Sequence, residues 1–396
     1  MLNIFDEEFA RDPWPVLRSL REAGGAHRVA TPDGPPAWLI TRYADVRAGL
    51  LDERLSVNLR YSGGSDYEGF AVPAPLDVFQ SAEPARLARL RSLVVGELRL
   101  AGDWADRAAE LIGKSLAGLD GVEEFDFVER VALPLPTVIL GELLGLPESE
   151  QDSLAAWAQA TLAPDARPRA RDTLGAMRQI ITAVIERGRD GADDTMLGRL
   201  VRSGIGGGAA DSDELPGLLF YLLFVWYEVL MDMLAGAVLT FSARPDQLAA
   251  MLSGADHAVA VDELLRYLSP QVLAAPRFAV TDLEIAGQRI EAGQTVLCCL
   301  AAANHDPERF TGPAESNGAL ELDVRRSPNP HVALGYGAHA CVGTGLLRPV
   351  LASILGELYT RWPNLRAAIA DSAVPWRSGF RHRGPLTLPV RPHGAE

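Results

Sequence analysis

Between residues 331 and 358 the chain commits to a tight loop and then to a helix. Gly335-x-Gly337-x-His339-x-Cys341-x-Gly343 sets one cysteine among glycines, and an apolar run from Leu346 to Leu358 follows at helical spacing. Glycines let a backbone turn tightly and approach a flat ligand closely. A cysteine just ahead of a helix has backbone N–H groups and a helix dipole near its sulfur, which favours the thiolate. Two readings meet at this loop. One is a structural cysteine buried in a Gly-rich turn, since free cysteine is among the most buried residue types. The other is a thiolate held against a planar ligand.

Charge and cysteine usage narrow the setting. The net charge of −15 leaves a nucleic-acid role without electrostatic support. Besides Cys341 there are only Cys298 and Cys299, adjacent in an apolar run and poorly placed for a disulfide, which suits a reducing cytosol. The first residues, Met1-Leu2-Asn3-Ile4-Phe5-Asp6-Glu7-Glu8, carry acids where a signal peptide carries bases, so a cytoplasmic location is expected. Leu215–Phe241 is apolar enough to span a bilayer. Glu228 and Asp232 sit on one face of it at i, i+4, a costly arrangement in lipid, so a buried central helix is expected and no membrane partner.

Other stretches read locally. Ala37–Thr41 is strand-like, and Tyr43–Leu51 and Glu83–Val94 are helical. Residues 61–80 read as a Gly-, Ser- and Pro-rich surface loop bearing Tyr61, Tyr67, Phe70 and Phe79. Residues 103–163 and 168–203 read as long helical patterns, and Leu283–Leu297 alternates around glycine as a hairpin. Glu263 and Arg266, at i, i+3, share a helix face; taken alone they read as a surface ion pair worth well under about 1 kcal/mol.

The cysteine loop resembles the haem loop of the cytochrome P-450 family, F-G-x-G-x-H-x-C-x-G-x-x-L-A-R. Gly335, Gly337, His339, Cys341, Gly343, Leu346 and Arg348 fall on that pattern, while Leu334 replaces its Phe and Leu347 its Ala. The resemblance implies a mainly α fold with smaller β sheets (α+β), with haem between a long distal helix and the proximal cysteine loop. It implies a single domain over residues 1–396. A small β-containing lobe covers about residues 1–60 plus the C-terminal hairpins, and a helical lobe takes the remainder.

The same resemblance implies one haem b with Cys341 as the iron ligand and Gly335, Gly337 and Gly343 shaping the loop. Arg91, Arg277 and His339 would meet the propionates; Arg91 falls on the Arg of D-P-P-x-H-x-x-x-R, whose His is Leu87 here. Glu263 and Arg266 fall on E-x-x-R, in the family a buried structural network. Ala303–Phe310 falls on A-N-R-D-P-x-x-F. The tail around Arg381, His382 and Arg383 resembles the last hairpin, whose tip enters the substrate pocket; the plain reading is a solvated turn.

The distal helix departs from the family. Counting back from Ala235-Gly236, the motif A-G-x-[DE]-T falls on Val225-Trp226-Tyr227-Glu228-Val229. Glu228 keeps the acid, Trp226 replaces the Gly, and Val229 replaces the Thr whose hydroxyl helps deliver protons to dioxygen. Ordinary dioxygen activation is therefore expected to be impaired.

The implied function is a haem-thiolate oxidoreductase, a P-450-type monooxygenase acting on a small organic, specialised-metabolite substrate. With no flavin or iron–sulfur motif, electrons would come from a ferredoxin and its reductase, steered by Arg86, Arg89, Arg99 and Arg348. Two other readings stay open. One is a haem-thiolate enzyme outside monooxygenation, catalysing peroxide-driven oxidation, oxidative coupling or cyclisation, or isomerisation. The other is a non-catalytic haem-binding scaffold.

Overall fold

The computed structural model describes residues 1–394 except 33, 65–71, 73–75, 101–103, 164–169, 191–194, 206–212, 255, 311–317 and 378–380. Tyr67, Phe70 and part of the glycine-rich stretch 204–210 lie outside the described residues. The chain is mainly helical, with strands β1 (Ala26–Thr31), β2 (Gly34–Ile40), β3 (Leu55–Ser56), β4 (Phe125–Asp126), β5 (Arg277–Ala279), β6 (Leu283–Ile285), β7 (Gln288–Ile290), β8 (Thr295–Cys298), β9 (Arg366–Ala367) and β10 (Pro389–Arg391). It divides into two compact units, and neither is a continuous stretch of chain.

The first unit comprises Met1–Val72, Ala249–Cys341 and Pro375–Gly384. Its centre is a five-stranded sheet in the order β1-β2-β8-β5-β3. Strand β2 pairs in parallel with β8 in the register Leu39↔Leu297 and Ile40↔Cys298. Side chains alternate across a sheet, so the two faces separate cleanly. Leu39 and Leu297 join Leu17, Leu20 and Cys299 in one core. Ile40, Val296 and Cys298 join Val46, Leu50 and Ala303 in the other. Both faces being covered, β8 is buried throughout, as parallel pairing inside a sheet requires. The hairpin read from Leu283–Leu297 is β6 and β7, joined at Ala286-Gly287.

The second unit comprises Pro73–Leu248, Val342–Val374 and Pro385–Glu396. The long helical patterns expected over 103–163 break into Trp104–Leu116, Leu135–Leu144 and Glu148–Leu162. Pro134 and Pro147 stand just before the second and third of these, where a ring that fixes φ and lacks an N–H is tolerated. Gly145 ends the second in the left-handed region, and a Cβ there would meet Thr195 Cγ2 at 2.4 Å. Phe79, expected in a surface loop, is instead buried with Leu87, Leu90, Val94 and Leu218, its ring 4.8 Å from that of Tyr221. Three of its neighbours supply one apolar face of the helix Pro84–Leu100, which outweighs the loop-like composition around it.

The apolar stretch read as a central helix runs from Leu215 to Ala243. It is long and apolar enough to cross a membrane, but 78% of its most apolar window is buried inside the protein, as in a core helix. It is not one continuous α-helix. A π-turn over Tyr221–Val225 separates Leu215–Phe220 from Trp226–Ala243. Such turns insert a residue into the helical count and recur at functional sites.

Candidate functional site

In the first unit, Gly335 and Gly337 both adopt left-handed backbone conformations, with φ 72° and 75°. A Cβ on Gly337 would stand 2.8 Å from the tip of the Leu51 side chain, which can shift, so it is the positive φ that calls for glycine here. Residues Gly337–His339 form one 3₁₀ turn, and the Cys341 amide closes the loop on Leu334 O at 2.8 Å. Cys341 is half-buried. The other two cysteines are wholly buried, and burial pushes Cys298 up to about 11 and Cys299 up to about 12, so both are neutral thiols. His339 is exposed on its turn.

A chain of directional bonds anchors this loop. Glu263 and Arg266 have no exposed side-chain surface and meet in a two-pronged pair, Nη2–Oε1 and Nε–Oε2 both 2.7 Å. The surface-pair reading of these residues is therefore corrected: the helix His257–Leu268 turns this face inward. Arg266 Nη1 donates to Asn304 O at 2.9 Å and Ala319 O at 2.8 Å, and Arg326 Nε and Asn329 Nδ2 both reach Glu263 Oε2 at 3.0 Å. Asn304 Oδ1 in turn accepts from the Val332 amide at 2.8 Å, where the cysteine loop begins. Sequence reasoning missed Arg326 and Asn329. They lie 63 and 66 residues from Glu263, and no local pattern signals so distant a contact.

Arg277, on β5, is buried and donates from Nη1 to Leu55 O at 3.2 Å. Its Nε is buried without a hydrogen-bond partner among the described residues. Burial pushes the guanidinium below its ordinary value, though it stays charged at any working pH. A buried cationic N–H left unpaired is costly, so an anionic acceptor fits there.

In the second unit, Arg91 lies half-buried on the helix Pro84–Leu100. Leu87, which stands for the family His, is sunk in the apolar cluster of that helix, and Val342, next after Cys341 in the chain, packs against the same cluster. Gly343 caps the helix Thr344–Arg361. Arg86 and Arg89, expected to form part of a donor-steering patch, both donate to the buried carboxylate of Glu214 at 2.5 Å.

Trp226, Glu228 and Val229 fall in the first turn after the π-turn, all half-buried. At 100° per residue, Trp226 and Val229 share a face and Glu228 stands aside from it. The Trp226 Nε1 is buried without a hydrogen-bond partner among the described residues. Between them, Tyr227 is fully buried. Its hydroxyl donates to Leu133 O at 2.6 Å and lies 2.8 Å from Thr137 Oγ1. Burial pushes this phenol well above its ordinary value, so it remains a donor. Neither the π-turn nor this hydroxyl pair was legible in the sequence; the hydroxyl's partners, Leu133 O and Thr137, lie 94 and 90 residues away along the chain. Tail residue Arg383 donates to Arg11 O at 2.8 Å, with its guanidinium 3.6 Å from the centre of the Trp376 ring. It is a packed residue, not a solvated turn.

The chain is 35% identical to the cytochrome P450 monooxygenase PikC of Streptomyces venezuelae, over 98% of its own length and 93% of that protein's. It belongs to the cytochrome P450 family. The family's sequence model, "Cytochrome P450", matches residues 258–359. The mycinamicin IV hydroxylase/epoxidase of Micromonospora griseorubida is 33% identical over 94% of this P450 and 93% of that protein. Among solved structures, the tirandamycin C-bound P450 monooxygenase TamI matches with a TM-score of 0.86 at 31% identity, covering 99% of this chain and all of that one. This P450 is a haem-dependent oxidoreductase of the monooxygenase class.

Proposed function

We propose that this P450 binds haem b through the Cys341 thiolate and inserts oxygen into a small specialised metabolite, drawing electrons from a ferredoxin and ferredoxin reductase in the cytoplasm. Bound through a thiolate, the haem supplies the oxidative chemistry. The chain's own residues position and shield it. Gly335, Gly337 and Gly343 let the loop approach a flat ring, and Arg91, Arg277 and His339 receive the propionates. Glu263 and Arg266 hold the loop's anchor, and both compact units serve one domain over 1–396. The observation that carries this reading is the pairing of a half-buried cysteine on a left-handed glycine loop with a buried, unpaired Nε on Arg277 in the same unit. The substrate class rests on relatives whose names are those of PikC, a mycinamicin hydroxylase and a polyketide biosynthesis P450.

Trp226, Glu228 and Val229 are proposed to line the distal pocket. Val229 has no proton to give, which favours a second reading in which dioxygen is used slowly and the haem serves peroxide-driven or coupling chemistry. The deciding experiment for the main reading is the spectrum of the reduced, CO-treated protein. A red-shifted Soret band in wild type that disappears in Cys341→Ser supports it; a band that survives the substitution refutes the ligand assignment.

A further inference from the structure

Residues 330–333 lead into the cysteine loop, and side chains from three elements of the first unit pin them. Tyr43 donates its hydroxyl to Pro330 O at 2.7 Å, and Asn304 Oδ1 accepts from the Val332 amide at 2.8 Å. The third hold comes through His331, a residue that neither the Glu263–Arg266 pair nor the glycine spacing accounts for. Its side chain is 3% exposed. Nδ1 accepts from the Ala333 amide at 3.3 Å, and Nε2 lies 3.2 Å from Asp262 Oδ1. A ring nitrogen that accepts carries no proton, so the proton sits on Nε2 and is donated to Asp262.

His331 Nδ1 stands as far along its side chain as the Oδ1 of an asparagine does. Both can reach the amide two residues on, as in an Asx-turn. What histidine adds is a second nitrogen, through which a distant acid selects the tautomer. Asp262 and Glu263 are neighbours on the helix His257–Leu268 and point about 100° apart. Glu263 turns to Arg266, and Asp262 turns to His331. With the carboxylate in place, Nδ1 is kept free to accept. A donor in its place would move the proton to Nδ1, which then could not accept from an amide. Ala333 is itself buried. Next to it, Leu334 O accepts from the Cys341 amide at 2.8 Å, and the Gly335 amide closes on Val332 O at 2.8 Å. The backbone that His331 holds is therefore the one on which the cysteine is hung.

We infer that His331 is a positioning residue for the cysteine loop, kept in its accepting tautomer by Asp262. The inference rests on the reading of Cys341 as the iron ligand. Its test is the rate at which the thiolate-type Soret band of the reduced, CO-treated holoenzyme decays in mild urea. In His331→Ala that rate rises about tenfold, as a buried amide left without its acceptor requires. His331→Asn brings it back to within about twofold of wild type, since Oδ1 takes the place of Nδ1. Asp262→Asn, which offers a donor to Nε2, raises it about threefold in wild type and adds nothing on top of His331→Asn. If His331→Ala takes up no haem, the two Asp262→Asn arms decide. A wild-type rate in His331→Ala, no rescue by asparagine, or an Asp262→Asn effect that persists without the imidazole each overturns the positioning role and leaves the ligand reading standing. A wild type that never shows the thiolate-type band refutes the ligand reading and the role with it.

Discussion

The cysteine loop and the first turn of the helix Trp226–Ala243 carry two ends of one expected chemistry, and they are held by different forces. The loop hangs from directional bonds: Glu263 to Arg266, Arg266 to Asn304, Asn304 to the Val332 amide. The helix turn rests on apolar burial from Leu230 to Phe241, with the Tyr227 hydroxyl bonded to Leu133 O. Directional bonds fix position within tenths of an ångström and fail when one partner goes, because the other is left buried and unsatisfied. Apolar packing tolerates substitutions that conserve volume and pattern. The loop keeps the glycines, histidine and cysteine of the family pattern, while Trp226 and Val229 stand in the helix turn, and nothing in the structure explains those two.

Substitutions at each end test that contrast. The largest effect is expected from Cys341→Ser, which abolishes the thiolate-type spectrum of the reduced, CO-treated protein and leaves the fold intact by circular dichroism. Next, Glu263→Ala leaves Arg266 charged and buried, so denaturant unfolding should show a loss of about 3–5 kcal/mol together with poor haem loading. Wild-type stability in that variant would mean the loop does not depend on its bond chain. In the other unit, Tyr227→Phe leaves Leu133 O without its donor. A loss of about 1–3 kcal/mol is expected, with the haem-loop spectrum unchanged. A spectral shift without loss of stability would blur the line between the two regions.

Trp226→Gly with Val229→Thr should cost about 1 kcal/mol or more, since a glycine weakens the helix and the indole is partly buried, and should raise the fraction of NADPH consumption that ends in oxygenated substrate. If wild type already couples the two tightly and the double variant gains nothing, the distal turn is not impaired. The smallest effect concerns pH. His305, wholly buried, has its pKa pushed down to about 3, chiefly by burial, with Arg266 nearby adding to the shift. The unfolded chain, with an ordinary value of 6.5, binds the proton first, so this contribution to stability is full above about pH 6.5 and fades as pH falls towards 3. His305→Gln should flatten that limb of the stability curve, and an unchanged limb would assign it to other groups.

Some of the site was readable because its signals are local. The glycine spacing around Cys341, the i, i+3 placement of Glu263 and Arg266, and the alternation in Leu283–Ile290 lie within single turns or hairpins. One sequence-based reading gave way and another gained a partner. Phe79 lies in a loop-like stretch yet is core, and Arg86 and Arg89, part of an expected basic surface, share the single buried carboxylate of Glu214. Composition registers what a residue is, but burial depends on what the rest of the chain brings to it.

The sequence by itself determined the family, through residue types at fixed spacing, and singled out Cys341 as the candidate iron ligand and Trp226 and Val229 as candidate distal positions. The tertiary structure alone decided that Glu263 also gathers Arg326 and Asn329, that a π-turn precedes Trp226, that Tyr227 answers the carbonyl of Leu133, and that Arg86 and Arg89 meet on Glu214. These are satisfaction problems. A buried donor or charge must find its acceptor wherever the fold delivers one, and the distances along the chain that separate such partners leave no periodic trace.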